Sequence, residues 1–114
     1  MLVMYGIRNC DTVRKARRWL EARGIEYHWH DVRDDGLDRT RLQEWTSRIP
    51  CQKLLNRRSA TWRALSESER RLETEDDCLR LLEAHPTLLR RPVVEHPQGL
   101  LVGFDPQEWS EALQ

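Results

Sequence analysis

Leu2-Val3-Met4-Tyr5-Gly6-Ile7-Arg8-Asn9-Cys10-Asp11-Thr12-Val13 is the stretch that decides the fold. Leu2 to Ile7 is a short apolar run with the length of a strand buried on both faces, and the polar residues after it close the strand. Asp11 or Thr12 can then cap a helix in which Val13, Ala16, Trp19 and Leu20 recur at spacings of three and four, until Gly24 ends it. The stretch reads as strand, tight loop, helix.

Beyond Gly24 the pattern alternates: Ile25, Tyr27, Trp29 and Asp31 fall on one face, and Glu26, His28, His30 and Val32 on the other. This predicts a second strand over 25–32, parallel to the first across the helix and closed by the turn Arg33-Asp34-Asp35-Gly36. Asp38 can cap a helix carrying Leu42, Trp45 and Ile49, which Pro50 breaks, and Ser59 or Ser66 can start further short helices. The acidic run Glu75-Asp76-Asp77 favours a helix N-terminus, followed by Leu79, Leu81 and Leu82 and closed by His85-Pro86. That helix is expected to be the longest of a wholly helical block at about 38–85. Pro92-Val93-Val94-Glu95, the turn His96-Pro97-Gln98-Gly99 and Leu100-Leu101-Val102-Gly103 read as a hairpin. Asp105-Pro106 then opens a last helix with Trp109 and Leu113. The order β-α-β, helical insert, β-β-α fits an α/β domain of thioredoxin-like fold with a mixed four-stranded sheet, spanning 1–114 as a single domain.

Length and composition agree with one globular domain: 114 residues, 39% apolar and 33% charged, with five Gly and five Pro. No window approaches the ~18 consecutive apolar residues of a membrane span. Met1 to Arg8 has neither the basic nor the apolar region of a signal peptide, so a soluble cytoplasmic protein without membrane association is expected. The 19 basic and 19 acidic side chains cancel, yet residues 1–63 hold 14 basic against 8 acidic while 64–114 hold 5 against 11. Neutral totals exclude a protein that coats nucleic acid by bulk charge, and leave room for a local anion site. Of the basic residues 17 are Arg, which reads first as coding bias and second as a need for bidentate anion contacts. Cys10, Cys51 and Cys78 are an odd number, which suits a reducing compartment and makes them candidates for chemistry rather than disulfide staples.

Cys10 stands where the first strand gives way to a helix, and the unpaired N–H groups and dipole there stabilise negative charge, the form in which sulfur attacks. Arg8, Arg14 and Lys15 either add positive potential or simply face water. A local Cys-x-x-Cys pair needs a cysteine at 13, where Val13 stands, so turnover requires an external thiol or a distant cysteine. Cys51 and Cys78 are available for that role, although single cysteines are most often small core residues. Arg57-Arg58 and Arg90-Arg91 present guanidinium forks suited to carboxylate or other oxyanions, or else are solvated surface. Pro92 follows Arg91 at a strand start, where an X-Pro bond can be cis although base rates favour trans. His28 and His30 share a strand face with no Cys or carboxylate at a familiar zinc spacing, so no metal is expected. Trp19, Trp29, Trp45, Trp62 and Trp109 lack interleaved basic residues and read as packing.

Taken together, Tyr5-Gly6-Ile7-Arg8-Asn9-Cys10-Asp11-Thr12, Leu54-Leu55-Asn56-Arg57-Arg58-Ser59, Leu89-Arg90-Arg91-Pro92-Val93-Val94 and Leu101-Val102-Gly103-Phe104 closely resemble the arsenate reductase (ArsC) family, and within it the YffB branch. The resemblance runs in order from residue 2 to about 110. It implies a thioredoxin-like fold with a helical insert, a nucleophile matching Cys10, anion-binding arginines matching Arg58 and Arg91, and a cis proline matching Pro92. Asn9, Asp11 and Thr12 complete the loop expected to hold an anion or glutathione. The YffB branch implies a glutathione-dependent thiol reductase with no bound cofactor, glutathione as co-substrate, and a small-molecule or protein thiol or disulfide as substrate; a monomer is expected. Arsenate reductases of this family carry a third arginine where this chain reads Val102-Gly103-Phe104-Asp105, and a histidine where it has Gly6, so arsenate reduction is expected to be weak. The related Spx transcription regulators bind RNA polymerase and usually carry Cys-x-x-Cys, which Val13 breaks; a protein-binding regulator is the alternative.

Overall fold

A strand buried on both faces belongs in the middle of a sheet, and in the computed structural model, which describes residues 1–114, β1 (Leu2–Gly6) is an inner strand. It runs parallel to β2 (Tyr27–Asp31), from Leu2↔Tyr27 to Gly6↔Asp31, and antiparallel to β3 (Val93–His96). β3 forms a hairpin with β4 (Gly99–Val102), giving the order β2-β1-β3-β4. The mixed four-stranded sheet is the one the sequence pattern predicts.

The connection from β1 to β2 is helix α1 (Asp11–Ala22), whose buried residues are the periodic set Val13, Ala16, Trp19 and Leu20. Its end is marked by Gly24, whose positive φ of 67° an ordinary side chain resists. These residues share a core with Leu2 and Met4 of β1, Val94 of β3, Leu101 of β4 and Trp109 of the C-terminal helix Pro106–Leu113. The Trp19 and Trp109 rings meet edge to face at 5.8 Å, and Phe104 meets Trp109 at 4.8 Å.

β2 is shorter than the expected 25–32. The buried carboxylate of Asp31 accepts hydrogen bonds from the N–H groups of Arg33 (2.8 Å) and Asp34 (3.2 Å), which turns the chain into the single-turn helix α2 (Val32–Asp35) where a plain turn was expected.

The chain forms two compact units, one of Met1–Asp35 with Arg91–Gln114 and the other of Gly36–Arg90. The second spans the expected insert and holds α3 (Arg39–Thr46), a 3₁₀ turn Cys51–Leu54, α4 (Ala60–Ala64), α5 (Glu67–Arg70), α6 (Glu75–Ala84) and a 3₁₀ turn Pro86–Leu88. The helix after Pro86–Leu88 and the hairpin, Pro106–Leu113, is α7. Asp38, Ser59 and Ser66 cap the helices the sequence assigns to them, and Asp105 with Pro106 opens α7. With ten residues α6 is the longest helix of the insert.

Two expectations fail inside the second unit. It is not wholly helical: Leu55 and Leu89, each extended directly after a 3₁₀ turn, form an antiparallel bridge, with Asn56 N–H on the Leu88 carbonyl (2.8 Å) and Arg90 N–H on that of Leu54 (2.7 Å). Leu54, Leu55, Leu88 and Leu89 are all buried there, and buried backbone groups must be paired. Nor are all three cysteines unpaired, because Cys51 and Cys78 are joined in a disulfide across a Cα separation of 6.2 Å. The fold lays the 51–54 turn against α6, which brings residues 27 positions apart within disulfide reach.

Candidate active site

The path from β1 into α1 is built by close packing. A Cβ on Gly6 would lie 2.9 Å from Cγ2 of the fully buried Val13 and 3.2 Å from the Trp29 ring, so only glycine fits this approach. Ile7 is buried and anchors the loop, Arg8 and Asn9 are exposed, and the chain reaches Cys10 in extended conformation. Cys10, not Asp11 or Thr12, is the N-cap: its φ and ψ are −138° and 120°, whereas Asp11 is already helical. The Cys10 carbonyl accepts the Arg14 N–H at 2.9 Å, and the residue, half-buried, rests against the core cluster around Val13 and Leu20.

No side chain caps α1. Asp11 and Thr12 lie exposed in its first turn, and Asp11 engages Arg14 at 3.3 Å, which offsets part of the positive potential assigned to that arginine. The first-turn N–H groups are therefore left to water or to a ligand. Cys10 is the free cysteine of the chain.

The antiparallel registers Tyr5↔Val93 and Val93↔Val102 bring the end of β1, the start of β3 and the end of β4 to one end of the sheet. Arg91-Pro92 precedes β3 there. The bond between them is cis, as the family resemblance implies and against the base rate. Pro92 is buried, and its carbonyl accepts the Gly103 N–H at 2.8 Å; Arg91 is half-buried. Gly103 has a φ of 79°, a conformation that favours glycine. No basic side chain occupies the turn after β4, and Phe104 there joins the aromatic cluster of the core.

Arg58 belongs to the second unit. Asn56 Oδ1 accepts its backbone N–H at 3.0 Å, Ser59 Oγ accepts the Trp62 N–H at 3.1 Å as the cap of α4, and the Arg57 guanidinium lies 5.5 Å from the Trp62 ring centre. The Arg58 side chain is exposed. Cys51 and Cys78, weighed as resolving thiols, are bonded to each other and hold no thiol for Cys10 in this state. His28 is exposed, and the His30 ring lies 4.8 Å from that of Tyr5. Of the five tryptophans Trp19, Trp45 and Trp109 are buried, and Trp29 packs against the core beneath the Arg17 guanidinium at 4.5 Å.

The role of Gly103 in holding Pro92 was not foreseen; a glycine directly after the last strand is its only sequence signal. The disulfide had no signal at all, since a separation of 27 residues implies nothing without the fold.

A mixed sheet of this order, with a cysteine opening the helix after β1 and a cis proline opening β3, defines a thioredoxin-like α/β protein. Residues 5–112 match the ArsC family, and the chain belongs to it. It is 38% identical to the solved YFFB protein, with a TM-score of 0.95 over the whole of both chains. A solved arsenate reductase (ArsC) related protein from Brucella melitensis is 41% identical, with a TM-score of 0.76 over 98% of this chain and 92% of that one. The global transcriptional regulator Spx of Streptococcus pneumoniae is 26% identical over 110 residues, 95% of this chain and 82% of the regulator. The fold is thus arsenate reductase-like, and its relatives include regulators. No helix is long and apolar enough to cross a membrane.

Proposed function

We propose that this protein is a glutathione-dependent thiol–disulfide reductase whose nucleophile is Cys10. The observation that carries the reading is a free cysteine at the uncapped start of α1, at the same end of the sheet as Arg91 and cis Pro92. In the first step the Cys10 thiolate attacks the glutathione sulfur of a mixed disulfide, forming a Cys10–glutathione bond and releasing the substrate thiolate. In the second, the thiolate of a reduced glutathione attacks that bond, yielding oxidised glutathione and restoring the Cys10 thiolate. The open N–H groups of the Asn9 to Thr12 loop receive negative charge during exchange. Arg91 is assigned to a glutathione carboxylate or an oxyanion, and Arg58 to the same task on its family motif alone. Val13 and the Cys51–Cys78 bond leave resolution to an external thiol.

On this reading the protein acts in the cytoplasm as a monomer, with glutathione as co-substrate and no bound cofactor. Arsenate is a poor substrate, because the turn after β4 lacks a basic side chain and Gly6 has no room for one. The kinship with Spx supports a second reading, a protein-docking regulator in which Cys10 is incidental. Turnover of the glutathione–2-mercaptoethanol mixed disulfide, coupled to glutathione reductase, separates the two. Turnover that vanishes in Cys10→Ser and falls about tenfold or more in Arg91→Ala, roughly 1.4 kcal/mol of transition-state stabilisation, supports the reductase. No turnover by the wild type, with a protein partner retained by Cys10→Ser, supports the regulator.

A further inference from the structure

We propose that Cys51 and Cys78 form a second redox site, whose reversible dithiol–disulfide exchange sets how firmly the arm carrying Arg57 and Arg58 is held. The site is independent of the role given to Cys10. Its bond fastens the 51–54 turn to α6 and closes the segment between them.

That segment has little else to hold it. α4 and α5 are five and four residues long and bury no side chain, and between Asn56 and Asp77 Leu65 alone is buried. Apolar burial is the main stabilising force in a fold, and a stretch without it opens locally at low free energy. Its other ties include the backbone bonds of Leu54 and Asn56 with the 88–90 stretch, the Arg57–Gln52 side-chain bond at 3.4 Å, the Thr61–Thr87 hydroxyl bond at 2.9 Å and the cap at Thr74. A covalent closure therefore matters more here than it would in the β1–α1 core.

The bond also borders the surface. Cys51 and Cys78 are 3% and 1% exposed, yet both line an open surface cleft of about 360 Å³ with Pro50, Lys53, Leu72 and Glu73. A small dithiol can enter it. One thiolate of the dithiol attacks a sulfur of the Cys51–Cys78 bond and expels the other as thiolate. The second thiol of the dithiol then displaces the first cysteine and closes the reductant into its own disulfide. Two electrons and two protons pass to the protein, and a disulfide oxidant reverses the step.

The test uses the full chain as Cys10→Ser, so that no other thiol reacts, equilibrated with oxidised or reduced dithiothreitol without denaturant. Iodoacetamide trapping and intact mass count the thiols, and a trypsin pulse reads the arm at Arg57, Arg58, Arg70 and Arg71. Expected are no alkylation after oxidation and two additions after reduction, with the circular dichroism spectrum unchanged. Cleavage in the arm should be about tenfold faster or more in the reduced form, and slow again on reoxidation. The proposal is overturned if oxidised dithiothreitol leaves both thiols free, if the bond yields only with denaturant or with loss of the fold, or if the arm is cut equally fast in both states. The two forms of one chain are compared, so no cysteine-free variant has to fold; and because Cys10 is absent, the result does not depend on its chemistry.

Discussion

Two helices of this protein carry a cysteine near their start, and they treat their N-termini in opposite ways. In α6 the donors are taken up by the helix itself: Thr74 Oγ1 accepts the Asp77 N–H at 3.1 Å, and the Asp77 carboxylate accepts those of Glu73 and Thr74 at 3.0 and 3.1 Å. Cys78 follows, buried and bonded to Cys51. In α1 no side chain caps the first turn, and the N-cap is itself the free cysteine. α1 tolerates this because it buries Val13, Ala16, Trp19 and Leu20, whereas α4 and α5 bury nothing and rely on Ser59 and Ser66. An open helix N-terminus beside a sulfur is a chemical resource that only a well-packed helix can leave unsatisfied.

The largest effect on this comparison should come from filling the space at Gly6. Gly6→His forces a Cβ to 2.9 Å from Val13 and presses on the packing that lets α1 go uncapped. A destabilisation of about 1–3 kcal/mol is expected from overpacking, seen as a lowered melting temperature, with no gain in arsenate reduction. An unchanged melting temperature would show that the site has slack.

Removing the cap of α6 by Thr74→Ala should lower stability by about 1 kcal/mol in denaturant titration. The same box carries a pH signature. Hydrogen bonds from the Glu73 and Thr74 N–H groups, then the Thr74 hydroxyl and Arg80, hold the Asp77 carboxyl below its ordinary value. A depressed folded pKa contributes stability that is present above the unfolded value and lost as pH falls through the folded one. Glu69, bonded to the Ser66 N–H and hydroxyl, acts in the same sense. Asp77→Asn should therefore lower the melting temperature on the neutral plateau and flatten its acid limb below roughly pH 5, where the variant and the wild type converge.

The smallest effect has the opposite sign. Cys10→Ser supplies the oxygen acceptor that α1 lacks and should raise stability by about 0.5–1 kcal/mol while abolishing exchange chemistry. A destabilised serine variant would mean that burial of the Cys10 sulfur against the core outweighs the missing cap.

What the sequence made legible follows from periodicity and turn chemistry. The apolar run of β1, the spacing in α1 and the hairpin around His96-Pro97-Gln98-Gly99 are local signals, and they led to the correct sheet. Asp38, Ser59, Ser66 and Asp105 were legible as caps for the same reason. The end of β2 is hidden in the sequence because the alternation continues through Val32 while the Asp31 side chain already captures the next turn. The cap of α1 is hidden for a similar reason: capping residue types stand at 11 and 12, but the chain turns helical one residue earlier. The Leu55↔Leu89 bridge and the Cys51–Cys78 bond depend on contacts 34 and 27 residues apart, and no local pattern encodes those. Cys10 is legible from its place between the first strand and helix, and Arg58, Arg91 and Pro92 from motif order, whereas the packing that excludes a side chain at Gly6 is visible only in three dimensions.

The central claim, that Cys10 is the reactive sulfur, is tested most directly by intact mass after brief incubation with oxidised glutathione near neutral pH, for the wild type, Cys10→Ser and Arg91→Ala. The wild type should gain a single glutathione at Cys10, more slowly in Arg91→Ala and not at all in Cys10→Ser, and reduced glutathione should release it. An unmodified Cys10, or the same mass gain in Cys10→Ser, would contradict the claim.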